Sequence, residues 1–440
     1  MTPEENDELT LTGPGTPAGA LLRRYWMPAA LSEELEGARA VVPVRLMGED
    51  LVLFRAGNGE LGLIGRACPH RGVDLAYGRL EQAGLRCAFH GWCFDARGQC
   101  LEQPAEPESS TMHKRVRTEA YPVVEHNGVV WAYLGPGSPP PLPAFDCFSA
   151  PVSHVFAFKG RWECNWLQAT EIGIDPAHAS YLHRFLVDDE AEYGQQFRDG
   201  VADGEVSIPM TRLLREHARP SIEVEETDFG LRILTRRDLG DGRTHIRVTN
   251  QIFPVAIAIP MSREMTITQW HVPIDDESCY WYSLFTSFGD PVDKVRMREQ
   301  RLAEHRLPDY VPHKNAANNY GYDAEEQRTI TYTGMGMDIN VHDQWAVESM
   351  GVIQNRTREH LASSDTAIIH FRRLLRGNIR ALAESNDEAS RSWLNVSSSG
   401  GPEAVDAIAP SEGWQEAWRA RAAERWDACS WTAGSDKGER

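Results

Sequence analysis

Residues 67–92 read ACPHRGVDLAYGRLEQAGLRCAFHGW, and this stretch decides the architecture of the first part of the chain. It holds Cys68 and His70 as C-x-H, sixteen intervening residues, then Cys87 and His90 as C-x-x-H, with Gly72 and Gly91 close behind the histidines. β-rich runs flank both halves, so each pair sits on a turn between strands. Two thiolates and two imidazoles can surround one tetrahedral zinc ion, or they can hold a [2Fe-2S] cluster with the cysteines on one iron and the histidines on the other. The spacing favours the cluster. Side chains two apart in a tight loop diverge and cannot easily chelate one zinc, whereas a cluster offers two irons to receive them.

Around this stretch, from about Val41 to Trp131, runs such as VVPVRLM, DLVLFR, GELGLIG and GVVWAYLG alternate with Gly, Asn and Asp turns, which predicts a small all-β domain. GPGSPPPLPA at 135–144 carries five prolines and two glycines and reads as an extended, exposed connector. Beyond it, Asn165 to Leu186 reads as a helix with an interruption, and 207–288 contains β-rich runs such as LRILTRR, HIRVTNQIF and YWYSLFTSF. Ile368, Phe371, Leu375, Ile379 and Leu382 are spaced by three or four as on an amphipathic helix, with Ser364 placed to cap it. The expected organisation is α+β: an N-terminal segment over 1–25, an all-β cluster domain over 26–140, a mixed domain with an antiparallel sheet and helices over 141–430, and a disordered tail over 431–440.

Composition narrows the function. The 440 residues are 41% hydrophobic and 25% charged, ordinary for a globular protein, and no run approaches a membrane span. A net charge of -19 repels phosphate backbones and argues against nucleic acid as a partner. The acidic start MTPEENDELT has neither the basic residues nor the apolar stretch of a secretion signal, which points to the cytoplasm. Eight cysteines are too few for a disulfide scaffold, and Cys68, Cys87, Cys93 and Cys100 fall together, as metal or redox chemistry requires. Cys147, Cys164, Cys279 and Cys429 are scattered and read as small buried residues.

A second constellation lies in EIGIDPAHASYLH at 171–183, where Asp175, His178 and His183 form D-x-x-H-x-x-x-x-H. Two histidines and one carboxylate on one face of a ferrous ion leave positions open for dioxygen and substrate. At about 100° per residue, a spacing of five sets the two histidines roughly 140° apart on a straight helix. The backbone must therefore break or bulge for both to reach one metal, and Gly173 and Pro176 supply the means. The third ligand is not local.

Taken together, these segments resemble the Rieske non-heme iron ring-hydroxylating oxygenases, specifically the alpha (oxygenase) subunits of the phthalate dioxygenase-like branch, which includes aromatic O-demethylases. The likeness rests on the Cys-His motif with Trp92 after His90-Gly91, on GPGTPAGALLRRYWMPAALSEEL at 13–35, and on RWECNWLQATEIGIDPAHASYLH at 161–183. NNYGYDAEEQR at 318–328 and QWAVESMGVIQNRTREHLASSDTAIIHFRRLL at 344–375 extend it. Ala88-Phe89 departs from the family's usual Pro-Tyr. Respiratory Rieske proteins carry an additional disulfide and a serine after His-Gly; Val73, Phe89 and Trp92 leave neither here, which implies a lower cluster potential.

The resemblance implies that Cys68, His70, Cys87 and His90 hold the [2Fe-2S] cluster and that His178, His183 and Asp365 hold Fe(II), with Glu359 the competing carboxylate. It makes Asp175 the electron-transfer bridge, hydrogen-bonded to His178 and reaching a cluster histidine of an adjoining subunit in a head-to-tail trimer or dimer of trimers. O2 is the cosubstrate, and NAD(P)H acts through a separate reductase, with or without a ferredoxin, because the chain has no dinucleotide fingerprint. The implied reaction is hydroxylation or O-demethylation of a small aromatic substrate, an aromatic acid by the branch. Asn250 and His271 resemble pocket polar groups, and Arg215, Arg232, Arg236 and Arg247 are candidate carboxylate partners. The rival readings are a Rieske-type electron carrier and a zinc-stabilised binding module.

Overall fold

The computed structural model describes residues 1–37, 39–188, 200–203, 206–384, 401–429 and 431. The expected tail is thus represented only by Trp431, and 432–440 lie outside the described residues. The chain divides into two compact units: Leu11–Leu142 with Val272–Asp276, and Met1–Thr10 with Pro143–His271 and Glu277–Arg440. The division at Leu142 falls within the proline-rich stretch.

The first unit is all β apart from short helical turns. Strands Val41–Leu46, Glu49–Arg55, Leu61–Gly65 and Ala120–Tyr121 form one antiparallel sheet. Arg79–Glu81, Gly84–Arg86, Cys93–Phe94 and Cys100–Glu102 form a second, and Met27–Leu31, Val129–Ala132 and Val123–His126 a third. Alternation along the strands turns Val52, Phe54, Ile64, Leu85 and Phe94 inward, and Cys68, Cys87 and Trp92 join the same core. The residues 272–276 belong here because Met47 and Gly48 donate their backbone N–H groups to the carbonyls of Pro273 and Ile274, both at 2.9 Å.

The second unit is built on one sheet. Its path runs Val155–Trp162, Cys279–Ser287, Met265–Pro273, Ala256–Pro260, Arg243–Ile252, Gly230–Asp238, Ser221–Glu226, and Val405–Pro410 pairs onto Arg243–Ile252. Side-chain parity gives this sheet two faces. Leu234, Ile246 and Val248 pack with Val405, Ala407 and Ala409 under the helix Trp414–Ala428, through Trp414, Trp418 and Ala422. The opposite parity, including Arg237, Arg247, Thr249, Ile257, Gln269, His271 and Trp281, lines a cavity.

Across that cavity lies the helix Trp166–Ile174, capped by the Asn165 side chain accepting from the Leu167 N–H at 3.1 Å. It ends where proline requires. Asp175, ahead of Pro176, is extended with φ -89° and ψ 108°, because the proline ring excludes the helical region for its predecessor. Gly173 lets this helix approach the sheet, since a β-carbon there would lie 2.6 Å from Ile257 Cδ1. The expected amphipathic helix is present as Thr366–Ala383 with Phe371, Leu375 and Ile379 buried, but Ser364 does not cap it. Asp365 occupies the cap position, and its carboxylate turns back to accept the Ala362 N–H at 2.6 Å.

Glu171, buried on the short helix, ties the unit together. Its carboxylate accepts from Arg356 at 2.9 Å and Arg372 at 2.5 Å, and Arg372 also pairs with Glu359. The two guanidinium groups hold the Glu171 carboxyl below the ordinary range against the opposing effect of burial, which is the largest single influence on it. Glu171→Ala leaves Arg356 buried without its one acidic partner among the described residues, and a buried pair broken from one side costs about 3–5 kcal/mol. We expect thermal unfolding to start several degrees lower; an unchanged transition would contradict this account.

Candidate metal centres and substrate cavity

The two cysteine-histidine loops have the same backbone construction despite their different spacing. Cys68 N–H donates to Val73 O at 2.9 Å and Gly72 N–H to Cys68 O at 2.8 Å; Cys87 N–H donates to Trp92 O at 2.8 Å and Gly91 N–H to Cys87 O at 3.1 Å. Both glycines sit at φ +75°, the left-handed region that closes such a turn. Each loop thereby turns a buried thiol and a more exposed imidazole to one side. The His70 and His90 ring centroids lie 4.5 Å apart, and His70 stacks on Trp92 at 4.5 Å. Burial, reinforced by neighbouring Cys87, pushes the Cys68 thiol up to about 11. His90 Nδ1 is buried with no hydrogen-bond partner. Two adjacent soft sulfurs, two imidazoles and an orphaned ring nitrogen fit a [2Fe-2S] cluster.

In the second unit the histidine segment leaves the helix at Asp175 and continues as a short 3-10 turn, His178–Ser180. That break brings His178 Nε2 to 3.1 Å from His183 Nε2. The carboxylate beside them is Asp343, whose Oδ1 lies 3.2 Å from His183 Nε2 and 3.7 Å from His178 Nε2. Among the described residues, these three are the one group whose ligand atoms all lie within 4.8 Å of one another, as a single ion requires. Asp365 is not part of it: its carboxylate is engaged at the start of its own helix, and Glu359 is held by Arg372. Asp343 comes from the helix Ile339–Ser349, capped by Asp338. Its signal in the sequence is an acid set among Val341, His342, Gln344 and Val347, which all turn inward.

The electrostatics suit a cation. Burial depresses both imidazoles, His183 to about 3, with like charge from Arg247 adding to it. Burial also raises the Asp343 carboxyl to about 6. Asp343 Oδ1 is buried without a hydrogen bond, facing two neutral nitrogen donors. Two nitrogens and one carboxylate oxygen are the donor set of non-heme Fe(II). His178 Nδ1 donates to the main-chain carbonyl of Asp175, not to its carboxylate, as the sequence had suggested. The Asp175 carboxylate accepts the Ala177 N–H at 2.8 Å, and its Oδ2 stands 3.8 Å from His178 Nδ1.

The cavity at this trio has a volume of about 140 Å³, with Ile172, Ile257, Trp281 and Phe285 among its walls. His271 lines it, stacked on Trp162 and receiving the Gln269 amide at Nε2 at 2.9 Å. Burial drives His271 down to about 3, so it is neutral. Asn250 does not line the cavity; its parity is that of Val248, and its amide donates to Glu403 O at 2.9 Å. Of the four candidate arginines only Arg247 lines the cavity. Arg215 pairs with Asp188, while Arg232 and Arg236 lie over Trp418 and Trp414 on the other face. Arg237, next to Arg236, lines the cavity instead.

Comparison with known proteins agrees with both halves. Residues 25–122 match the Rieske [2Fe-2S] domain family and 132–430 the "LigXa C-terminal domain like" family. The chain is 34% identical to the phthalate 4,5-dioxygenase oxygenase subunit of Pseudomonas putida, over 85% of each chain. It is 33% identical to the 5,5'-dehydrodivanillate O-demethylase oxygenase subunit of a Sphingobium species, over 88% of this chain and 82% of that one. The terminal oxygenase of carbazole 1,9a-dioxygenase from Nocardioides aromaticivorans superposes with a TM-score of 0.56 at 19% identity, covering 86% of this chain and 97% of that one. The chain belongs to the Rieske non-heme iron oxygenases, as an oxygenase subunit of the phthalate dioxygenase-like branch. It is an oxidoreductase that uses a [2Fe-2S] cluster, Fe(II) and O2, with NAD(P)H electrons delivered by a separate reductase.

The two candidate sites draw on different residues, so they are expected to be separable. His90→Ala is expected to remove the cluster's visible absorption and keep mononuclear iron. Asp343→Ala is expected to do the reverse and abolish turnover, while Asp365→Ala retains both metals. Full mononuclear iron in Asp343→Ala, measured by metal analysis and EPR, would return the ligand role to another carboxylate.

Proposed function

We propose that this subunit oxygenates a small aromatic acid at the cavity beside His178, His183 and Asp343, with Cys68, His70, Cys87 and His90 as the cluster ligands. The observation that carries this reading is the cavity itself, which opens on the ligand trio and combines an apolar wall with guanidinium groups. An apolar cavity of about 150 Å³ admits one benzene-sized ring. When bound, the cluster supplies single electrons and the ferrous ion supplies dioxygen reduction. The protein's own part is to hold and exclude. The Asp175 carbonyl fixes the His178 ring, the Trp162–His271–Gln269 stack keeps one wall rigid and uncharged, and the aliphatic side chains keep water from the reacting carbon.

In this proposal Asp175 is the bridge to a cluster histidine of an adjoining subunit in a trimer, with the assembly and its reductase in the cytoplasm. Two exposed apolar patches support such an assembly. In the first unit Phe89 and Tyr77 are exposed close in sequence to the cluster ligands, and in the second Tyr181, Tyr332, Met350 and Leu361 rim a cleft that includes Asp175 and His178. Among the described residues no helix is long and apolar enough to cross a membrane.

Turnover of a panel of aromatic acids and their methyl ethers with NADH and a reductase tests the reading. Coupled oxygen uptake with a cis-diol or formaldehyde as product is expected, and no uptake with any aromatic would overturn it. Asp175→Asn keeps the main-chain carbonyl that orients His178 and removes only the charge. Both metals should therefore bind as in the parent, while single-turnover product formation slows by about tenfold to a hundredfold. Product formation at the parental rate would remove Asp175 from the electron path.

A further inference from the structure

We infer that Arg237 is the anion anchor of this cavity, receiving the carboxylate of the aromatic acid and positioning its ring relative to His178. This rests on the reading of the cavity as the oxygenase substrate site and goes beyond it by assigning the recognition to one residue. Arg237 lies on strand Gly230–Asp238 with the parity that faces the cavity, and it is 1% exposed. Its Nη2 donates to Pro176 O and Ser180 Oγ, both at 3.2 Å. Its Nε and Nη1 are buried and have no hydrogen-bond partner.

No described residue neutralises this group at close range. Among the described residues no carboxylate stands within ion-pair distance of it, and the acid whose charge acts on it, Asp406, is taken up by Arg247 and His245. Arg247, by contrast, spends both ends of its guanidinium, on Asp406 and on Pro260 O at 3.1 Å. Burial, with repulsion from Arg247, lowers Arg237 only to about 10, so it stays cationic at neutral pH. An uncompensated buried cation with free N–H donors is among the most unfavourable groups a fold can keep, and an incoming carboxylate relieves it with charge-assisted hydrogen bonds. The apolar wall of Ile172, Ile257, Ile267, Trp281 and Phe285 then receives the ring.

The remaining donor of Arg237 explains why the anchor also positions. Pro176 and Ser180 bracket His178, so the guanidinium that grips the acid is hydrogen-bonded to the turn that carries His178. One planar group thus sets the substrate against that imidazole.

The test is equilibrium binding of benzoates and matched benzamides to the intact oxygenase, by titration calorimetry. Arg237→Gln and Arg237→Lys are compared with the parent, and chloride and sulfate serve as competitors. Benzoates are expected to bind the parent more tightly than benzamides. Arg237→Gln should weaken benzoate binding by about tenfold to a hundredfold and leave benzamide unchanged, with Arg237→Lys restoring part of the loss. Equal affinity of acid and amide for the parent, an equal loss of both in Arg237→Gln, or preferential binding of sulfate or chloride over every benzoate would overturn the anchor. NADH-dependent oxygen uptake is read separately. Arg237-dependent acid binding that triggers no uptake would overturn the oxygenase reading and leave the anchor in place, whereas uptake with neutral aromatics alone would do the opposite.

Discussion

Three candidate ligand atoms, from His178, His183 and Asp343, are gathered within reach of one ion in the second unit. Two imidazole nitrogens face each other at 3.1 Å, and a buried carboxylate oxygen without a hydrogen bond stands 3.2 Å from one of them. Burial pushes the carboxyl up and the imidazoles down, and a cation bound among them would relieve both effects. Much of the second unit serves to impose this arrangement. The break ahead of Pro176 rotates His178 off the helical path, Gly173 brings that segment onto the sheet, and the Glu171 ion network anchors the helix from behind. A divalent ion bound by these three atoms would couple metal binding to the local fold.

The cluster unit meets a similar requirement by another route. Its candidate ligands come from two turns with one hydrogen-bond scheme, each closed by a glycine at φ +75° and each rooted in the same apolar core. Duplicate turns bring four donors together with little reliance on distant parts of the chain. Phe89 occupies the place of the family's usual tyrosine; it lies 53% exposed against His90, with ring centroids 3.8 Å apart, and offers no hydroxyl to the cluster sulfurs.

The parts legible in the sequence are those whose determinants are local. Cys68, His70, Cys87 and His90 announce themselves by spacing, and His178 and His183 by the need for a break at Pro176. The third candidate ligand is different, because Asp343 and Asp365 both lie more than 150 residues beyond His183, and it is packing that sets Asp343 beside the two imidazoles. The family likeness over 344–375 begins one residue past Asp343 and contains Asp365. Strand parity explains the other differences. Arg236 and Arg237 are neighbours in composition but opposites in space, one over Trp414 and one in the cavity, and Asn250 faces away where Thr249 faces in. Which parity faces the cavity depends on the register of Gly230–Asp238 against Arg243–Ile252, a long-range pairing that local sequence does not encode. The same holds for Ser364, displaced as cap by Asp365 once the preceding turn is drawn.

The account stands on two different iron sites in one chain, and the iron-to-sulfide ratio of the purified protein tests it most directly. It predicts about three irons and two acid-labile sulfides per chain, with one iron removed by a ferrous chelator while the cluster spectrum persists. Two irons and two sulfides, with no chelatable third, would reduce the protein to an electron carrier. Zinc without labile sulfide would contradict the account altogether.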